Sequence, residues 1–261
     1  MRKIVLTIIF LCASLIAFSQ GEDRGNLQFL AGYGNDYFSA PYVRNFNVFY
    51  SGLGYKAENS AIYGKVNYGY LDSHSRGYQF ELDYYQRITK GLTSWWNYAY
   101  SQNENFPNHR AMMRLWQKLP AKFLVSGGLK YYYFDQSLYT GSLGLEKYMG
   151  RFWVEGLAFI HFKEPDPRMS YQLNSRVFWK DYNYVQLSLF TGAAQDEPWA
   201  TDGLLPSTLN AHGVDLRLVT YIGKSQRFQL RLNAGYQYEE YRESSWRNRY
   251  TSGIGIIYSI F

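Results

Sequence analysis

The chain has 261 residues, a fifth of them aromatic and 27 of them tyrosine, yet its mean hydropathy is −0.38. Its formal charge of +6 is spread along the chain without a basic block, so nucleic acid is set aside as a partner. Beyond the N-terminal segment no apolar run approaches the roughly 20 residues of a membrane helix. Two classes remain: a soluble β protein with an aromatic surface, or a transmembrane β-barrel, whose alternating faces keep mean hydropathy low.

In chain order the first element is an export signal. Arg2 and Lys3 precede an apolar run from Ile4 to about Phe18, with small residues at Ala17 and Ser19. This pattern predicts a signal peptide over 1–19, cleaved between Ser19 and Gln20, and a single domain over 20–261. Cleavage removes Cys12, the sole cysteine, so the mature chain has no disulfide, thiol nucleophile or Cys metal ligand. Leu11 stands before Cys12 where a lipoprotein signal needs a small residue.

The rest alternates with period two. In GYQFELDYY, Tyr78, Phe80, Leu82 and Tyr84 oppose Gln79, Glu81 and Asp83. In MSYQLNSRVFWK, Met169, Tyr171, Leu173, Val177 and Trp179 oppose Gln172, Asn174, Arg176 and Lys180. Fourteen strands are predicted, starting near Leu27, Asn45, Ala61, Gly77, Leu92, Arg110, Lys122, Ser137, Arg151, Arg168, Tyr182, Asn210, Gln226 and Arg247. They have the length a tilted strand needs to cross a bilayer, about 9–11 residues.

The breaks fall into two alternating sets. KAENS, TKG, LPA, MGR, KD and GKSQ are short. NDYFSAPYVR, LDSHSR, SQNENFPN, KEPDPR, residues 192–209 and EEYRESSW are longer, and the tight break near Asp135-Gln136 is the exception. Short turns at one end and longer loops at the other predict an all-β, transmembrane, antiparallel up-and-down barrel of about fourteen strands. Twelve is the alternative count if a pair near Asn35–Tyr50 or near Asp135 is misread. An even count puts both termini at the periplasmic end.

The last segment, TSGIGIIYSIF, is apolar to its end. Thr251, Gly253, Ile256, Tyr258 and the final Phe261 are similar to the terminal β-signal read by barrel-assembly machinery. The last strand of a barrel must pair with the first, because an open edge in lipid leaves backbone groups unsatisfied.

The polar faces supply the lumen candidates. Gln79, Glu81, Asp83, Arg110, Arg114, Lys118, Lys130, Arg176, Arg217 and Arg231 are expected to point inward, with basic residues in excess. One reading is a water-filled channel with a mild preference for anions or glycans, with Trp116, Trp153 and Phe159 available to stack on sugar faces. The other is a lumen closed by interlocking salt bridges. The segment 192–209, with Asp196, Glu197, Trp199 and Asp202, is the expected constriction or lid.

Catalytic candidates are sparse. His74 lies in LDSHSR beside Asp72, Ser73 and Ser75, and His109 follows FPN; either would serve a rim hydrolase, although Ser, Asp and His are also ordinary loop residues. Glu81, Asp83, Glu146 and Glu155 are carboxylates on the lumen side, which leaves a glycosidase pair open until their separations are known. His74, His109, His161 and His212 lack metal-site spacing, and no cofactor or metal is expected.

One region carries a family likeness. FPNHR (Phe106, Pro107, His109 and Arg110 within it), the Leu119-Pro120 turn, the strand from Gly127, and YTGSLG (Tyr139, Thr140, Gly141, Ser142, Leu143, Gly144) stand together. This set resembles the YaiO family of outer-membrane β-barrels; a short DQS replaces the family's longer linker before YTGSLG. The resemblance implies the outer membrane of a Gram-negative bacterium, with membrane lipid and the assembly machinery as partners. It also hints at surface-polysaccharide systems, and so at passage or docking of a polar solute. A closed scaffold barrel binding a periplasmic or surface partner is the alternative. Within YTGSLG, Gly141, Ser142 and Gly144 remove bulk from the strand, for a ligand, an inward-folded loop or a bulge.

Overall fold

The computed structural model describes residues 25–40, 43–71, 75–134, 136–162, 167–180, 182–193, 210–223, 226–242 and 244–260. The expected signal peptide, His74, the 194–209 segment and Phe261 lie outside the described residues.

Fourteen strands form one sheet. They are β1 (Asn26–Phe38), β2 (Arg44–Lys56), β3 (Ser60–Leu71), β4 (Ser75–Arg87), β5 (Leu92–Ser101), β6 (His109–Lys118) and β7 (Phe123–Tyr133). The second half comprises β8 (Ser137–Met149), β9 (Phe152–Phe162), β10 (Arg168–Lys180), β11 (Asn183–Ala193), β12 (Asn210–Ile222), β13 (Phe228–Arg242) and β14 (Ser245–Ser259). Each pairs antiparallel with its sequence neighbours. β1 also pairs with β14, from Gln28↔Ser259 to Phe38↔Arg249, so the barrel is closed. Closure leaves no strand edge to be satisfied by lipid. The count is fourteen, not twelve, and each strand starts within two residues of its expected position.

The loop pattern differs from the expectation in one respect. β1 runs on to Phe38, β13 to Arg242 and β14 begins at Ser245, so half of the expected loop NDYFSAPYVR and most of EEYRESSW are strand. Side-chain pairing across these strand ends explains the extension: Arg249 bonds Asp36 at 3.1 Å and Arg247 bonds Glu239 at 2.7 Å. The opposite end carries only the connections 57–59, 88–91, 119–122, 150–151, 181–182 and 223–227. It is called the turn end below, and the other the loop end.

The two faces are chemically inverted relative to a soluble protein. Phe80, Leu82, Leu129, Leu143, Leu145, Leu173, Leu189 and Ile254 are exposed on the outside. Rings collect toward the loop end of that face: Tyr238 stacks on Trp246 at 4.7 Å, and His109 sits between Tyr100 and Tyr133. Trp96 and Trp179 mark the turn-end side. An apolar band between aromatic girdles is the surface a bilayer requires. The buried residues are mostly polar and line the inside: Gln79, Asp83, Asn97, Glu146, Glu155, Asn174, Gln186 and Ser188.

Candidate functional site

Among the described residues the charges converge in the lumen. Two ionic clusters occupy the wall from β3 to β10. In the first, Lys65 bridges Glu81 at 2.9 Å and Asp83 at 2.8 Å, and Arg110 reaches Glu81 at 3.0 Å. Asn67, Asn97 and the Trp95 indole donate to the same carboxylates. The register builds it, since Lys65↔Glu81 and Asp83↔Asn97 are direct cross-strand partners.

In the second cluster Arg114 bonds Glu155 and Ser126 and lies 3.5 Å from Glu146. Glu146 accepts from the Trp116 and Trp153 indoles at 2.7 and 3.0 Å, and Glu155 accepts from Asn174 at 2.6 Å. Glu146 and Glu155 are cross-strand partners, so these two of the four carboxylates considered for glycoside chemistry are neighbours sharing one guanidinium. Arg176 lies over Trp153 at 4.2 Å and Tyr184 at 4.7 Å, and Lys130 lies over Phe159 at 5.0 Å. The tryptophans considered for sugar stacking thus hold charged groups of the wall.

At the loop end the connection 102–108 folds inward. Phe106 packs with Phe46 and Leu71 inside the barrel, and Asn105 accepts from Ser75 at 2.6 Å. β6 begins at His109, beside its expected start at Arg110, and Phe106-Pro107 belongs to the inserted loop. Aromatic burial explains the inward turn, because Phe106 finds an apolar site against Phe46 and Leu71 inside the mostly polar lumen. On the far side of the same end, Arg247 and Glu239 are buried together, and Phe38 lies under Arg247 at 4.0 Å and Arg249 at 5.2 Å.

The remaining wall, from β11 through β14 to β2, is built differently. Gly32-Tyr33-Gly34, Gly52-Leu53-Gly54 and Gly253-Ile254-Gly255 each place two glycines on the inner face of a strand. Closure aligns two of these runs, with Gly32↔Gly255 and Gly34↔Gly253. Tyr50 fills part of the space: its ring passes over Gly32 and its hydroxyl ends over Gly255. Beside it a cavity of about 370 Å³ is lined by Gly34, Tyr50, Tyr184, Arg217, Arg231 and Asn233. Arg217, Arg231 and Asn233 are exposed to it. A larger depression, about 690 Å³, lies over Gly156 and Ala158 between Leu143, Leu145, Tyr171 and Leu173, where the outer face meets lipid.

The model of the YaiO membrane beta barrel domain matches residues 26–197, from β1 through β11. The chain belongs to the YaiO membrane β-barrel family. No curated protein matches the sequence significantly. Among solved structures the chain is similar to the Acinetobacter baumannii outer membrane protein Omp33, with a TM-score of 0.53, 13% identity, and 90% of this chain and 99% of that one covered. A bacterial polysaccharide outer membrane secretin gives 0.54 at 8% identity, covering 90% and 98%. Pseudomonas aeruginosa OccK7 gives 0.50 at 9% identity, covering 92% and 99%. At these identities the likeness is one of fold.

The motif residues of this YaiO barrel take separate positions. Tyr139 and Leu143 face outward, Tyr139 against Tyr131 at 5.1 Å. A side chain at Gly141 would meet Phe162, and one at Gly144 would meet Ser126, Leu157 and Arg114. Gly144 therefore makes room for the second ionic cluster, while Ser142 lies inside against Gly128. Thr140 bonds His161, which also bonds Ser170 at 3.0 Å, with His161 and Ser170 both buried. The family motif does not gather into one pocket. His109 and Arg110 point to opposite faces: His109 Nδ1 meets the Tyr98 hydroxyl outside, and Arg110 joins Glu81 inside. Thr251 and Gly253 of the terminal segment face the lumen, and Tyr258 faces outward.

The sequence reading missed Tyr50, Tyr184 and Asn233, and the His161–Ser170 pair. The Gly-x-Gly runs were the available signal, since period two puts both glycines of each on one face.

Proposed function

We propose that this barrel lies in the outer membrane of a Gram-negative bacterium and passes or docks a polar solute through its lumen. The loop end would be external and the turn end periplasmic, with the last strand serving as the assembly machinery's recognition element. One observation carries the reading. The lumen is filled by ion pairs and an inserted loop from β3 to β10, whereas β14, β1 and β2 carry paired glycines and Arg217 and Arg231, on β12 and β13, face the cavity beside them. Surface polysaccharide is the solute source that the motif resemblance favours.

A second reading draws on the loop end, where Phe106 and the Arg247–Glu239 pair occupy the interior. It makes the barrel a closed scaffold for a periplasmic or surface partner. Single-channel conductance of the refolded mature chain in a planar bilayer separates the two. Discrete steps with anion preference are expected. No steps, from protein shown to be folded by heat-modifiable gel migration, would reject passage and favour the scaffold.

A further inference from the structure

The lumen's cations divide into two groups. Lys65, Arg110, Arg114, Arg247 and Arg249 each lie within ion-pair distance of a carboxylate. Arg217 and Arg231 have no carboxylate partner among the described residues; Arg231 donates to the neutral Gln229 at 2.7 Å. They sit on adjacent rungs of neighbouring strands, since Arg217 pairs with Asn233 and Arg231 with Val219. Both line the same cavity. Arg176 is close in register, through Arg176↔Gln186 and Gln186↔Arg217. Asp215 shares this inner face one rung along from Arg217, over Gly235; the neighbouring Arg217 and Arg231 still repel each other, and a bound anion relieves that repulsion.

The rest of the cavity selects among anions. Tyr50 lays the hydroxyl end of its ring over Gly32 and Gly255 of the β1–β14 seam and lines the cavity. An aromatic face held by the wall suits the apolar face of a sugar ring. The Asn233 amide, on the rung of Arg217, supplies a donor and an acceptor for hydroxyls. A volume of about 370 Å³ lies at the small end of ligand sites and admits one or two sugar rings.

We propose that Arg217, Arg231, Tyr50 and Asn233 form a binding site for an acidic sugar, the guanidiniums taking its carboxylate and Tyr50 its ring. The site deepens the passage reading and rests on the lumen admitting solutes. It draws on β12 and β13, which lie beyond the stretch matched by the family model.

The test is calorimetric titration of the folded mature barrel in detergent with glucuronate, glucose and acetate, alongside block of bilayer current by the same three. Glucuronate is expected to bind at least about tenfold more tightly than either control, because each control lacks one half of the recognition. Arg217→Gln and Arg231→Gln should each weaken glucuronate about tenfold, with Arg217→Lys recovering part of the loss. Tyr50→Leu should bring glucuronate down to the level of acetate. Equal binding of glucose and glucuronate would overturn the anionic half, and equal binding of acetate and glucuronate the sugar half. If a variant fails to fold, the three-ligand comparison on the unsubstituted protein still decides. Current without glucuronate binding overturns the site and leaves passage standing; glucuronate binding without current supports the site and overturns passage.

Discussion

Phe106 occupies the space into which a side chain at Gly69 would project. Its ring lies 5.9 Å from that of Phe46, edge to face, and the Asn105 amide donates to the Gly69 carbonyl at 3.4 Å. A loop residue of β5–β6 is thus socketed in the inner wall of β2 and β3, and the socket exists because position 69 has no side chain.

That socket makes the loop a plug with a defined anchor. Phe106→Ala removes a buried ring, expected to cost about 3–5 kcal/mol at a well-packed site. The same change should free 102–108, raise single-channel conductance and expose the loop to protease. Gly69→Val reaches the same end from the other side, by filling the socket. Unchanged current and protease resistance in both variants would show that the loop stays in place without its anchor.

The Arg247–Glu239 pair tests the loop end. Its side chains are 1% and 4% exposed, and Arg247 donates from Nε at 2.9 Å and from Nη2 at 2.7 Å to one oxygen. Glu239→Gln leaves a buried guanidinium without its counter-charge and is expected to lose about 3–5 kcal/mol. The double variant Glu239→Leu/Arg247→Met should recover most of that. The unfolding midpoint in urea, followed by gel migration, measures both.

Gly144 and Gly156 form a matched pair of probes. A side chain at Gly144 meets Ser126, Leu157 and Arg114, whereas one at Gly156 meets nothing within 4 Å. Gly144→Val should destabilise by roughly 1–3 kcal/mol through overpacking and displacement of Arg114. Gly156→Val should be close to neutral. Equal effects in the unfolding midpoint would mean that the Arg114 cluster does not depend on that space.

The lipid face is tested by Leu143→Arg. Leu143 is 65% exposed in the apolar band. A cation there is expected to cost about 2–4 kcal/mol if it lies near the bilayer midplane. The folded fraction after refolding into vesicles reports the loss; full recovery would place this face outside the hydrocarbon.

Much of the architecture was legible because alternation is a local property. Tyr78, Phe80 and Leu82 face out and Gln79, Glu81 and Asp83 face in, as period two requires. The expected loops at 35–44 and 239–246 were too long, because Asp36, Arg249, Glu239 and Arg247 look like loop charges until they are seen paired across strands. The inward packing of Phe106 was not legible for a related reason: its apolar partners, Phe46 and Leu71, lie on strands distant in sequence.

By itself the sequence determined the strands, their faces and the closed β class, since these follow from side-chain alternation and from the backbone's need for partners in lipid. The tertiary structure alone decided which inward charges neutralise each other and which face open space. Glu81, Arg114, Arg217 and Arg231 look alike as polar positions in alternating strands. Pairing across the wall gives Glu81 and Arg114 each a counter-charge, while Arg217 and Arg231 line the cavity with Tyr50. The glycine runs of β1 and β14 likewise lie far apart along the chain, and closure of β14 on β1 sets them side by side. Register between distant strands, which no local pattern encodes, turned scattered glycines and arginines into one cavity.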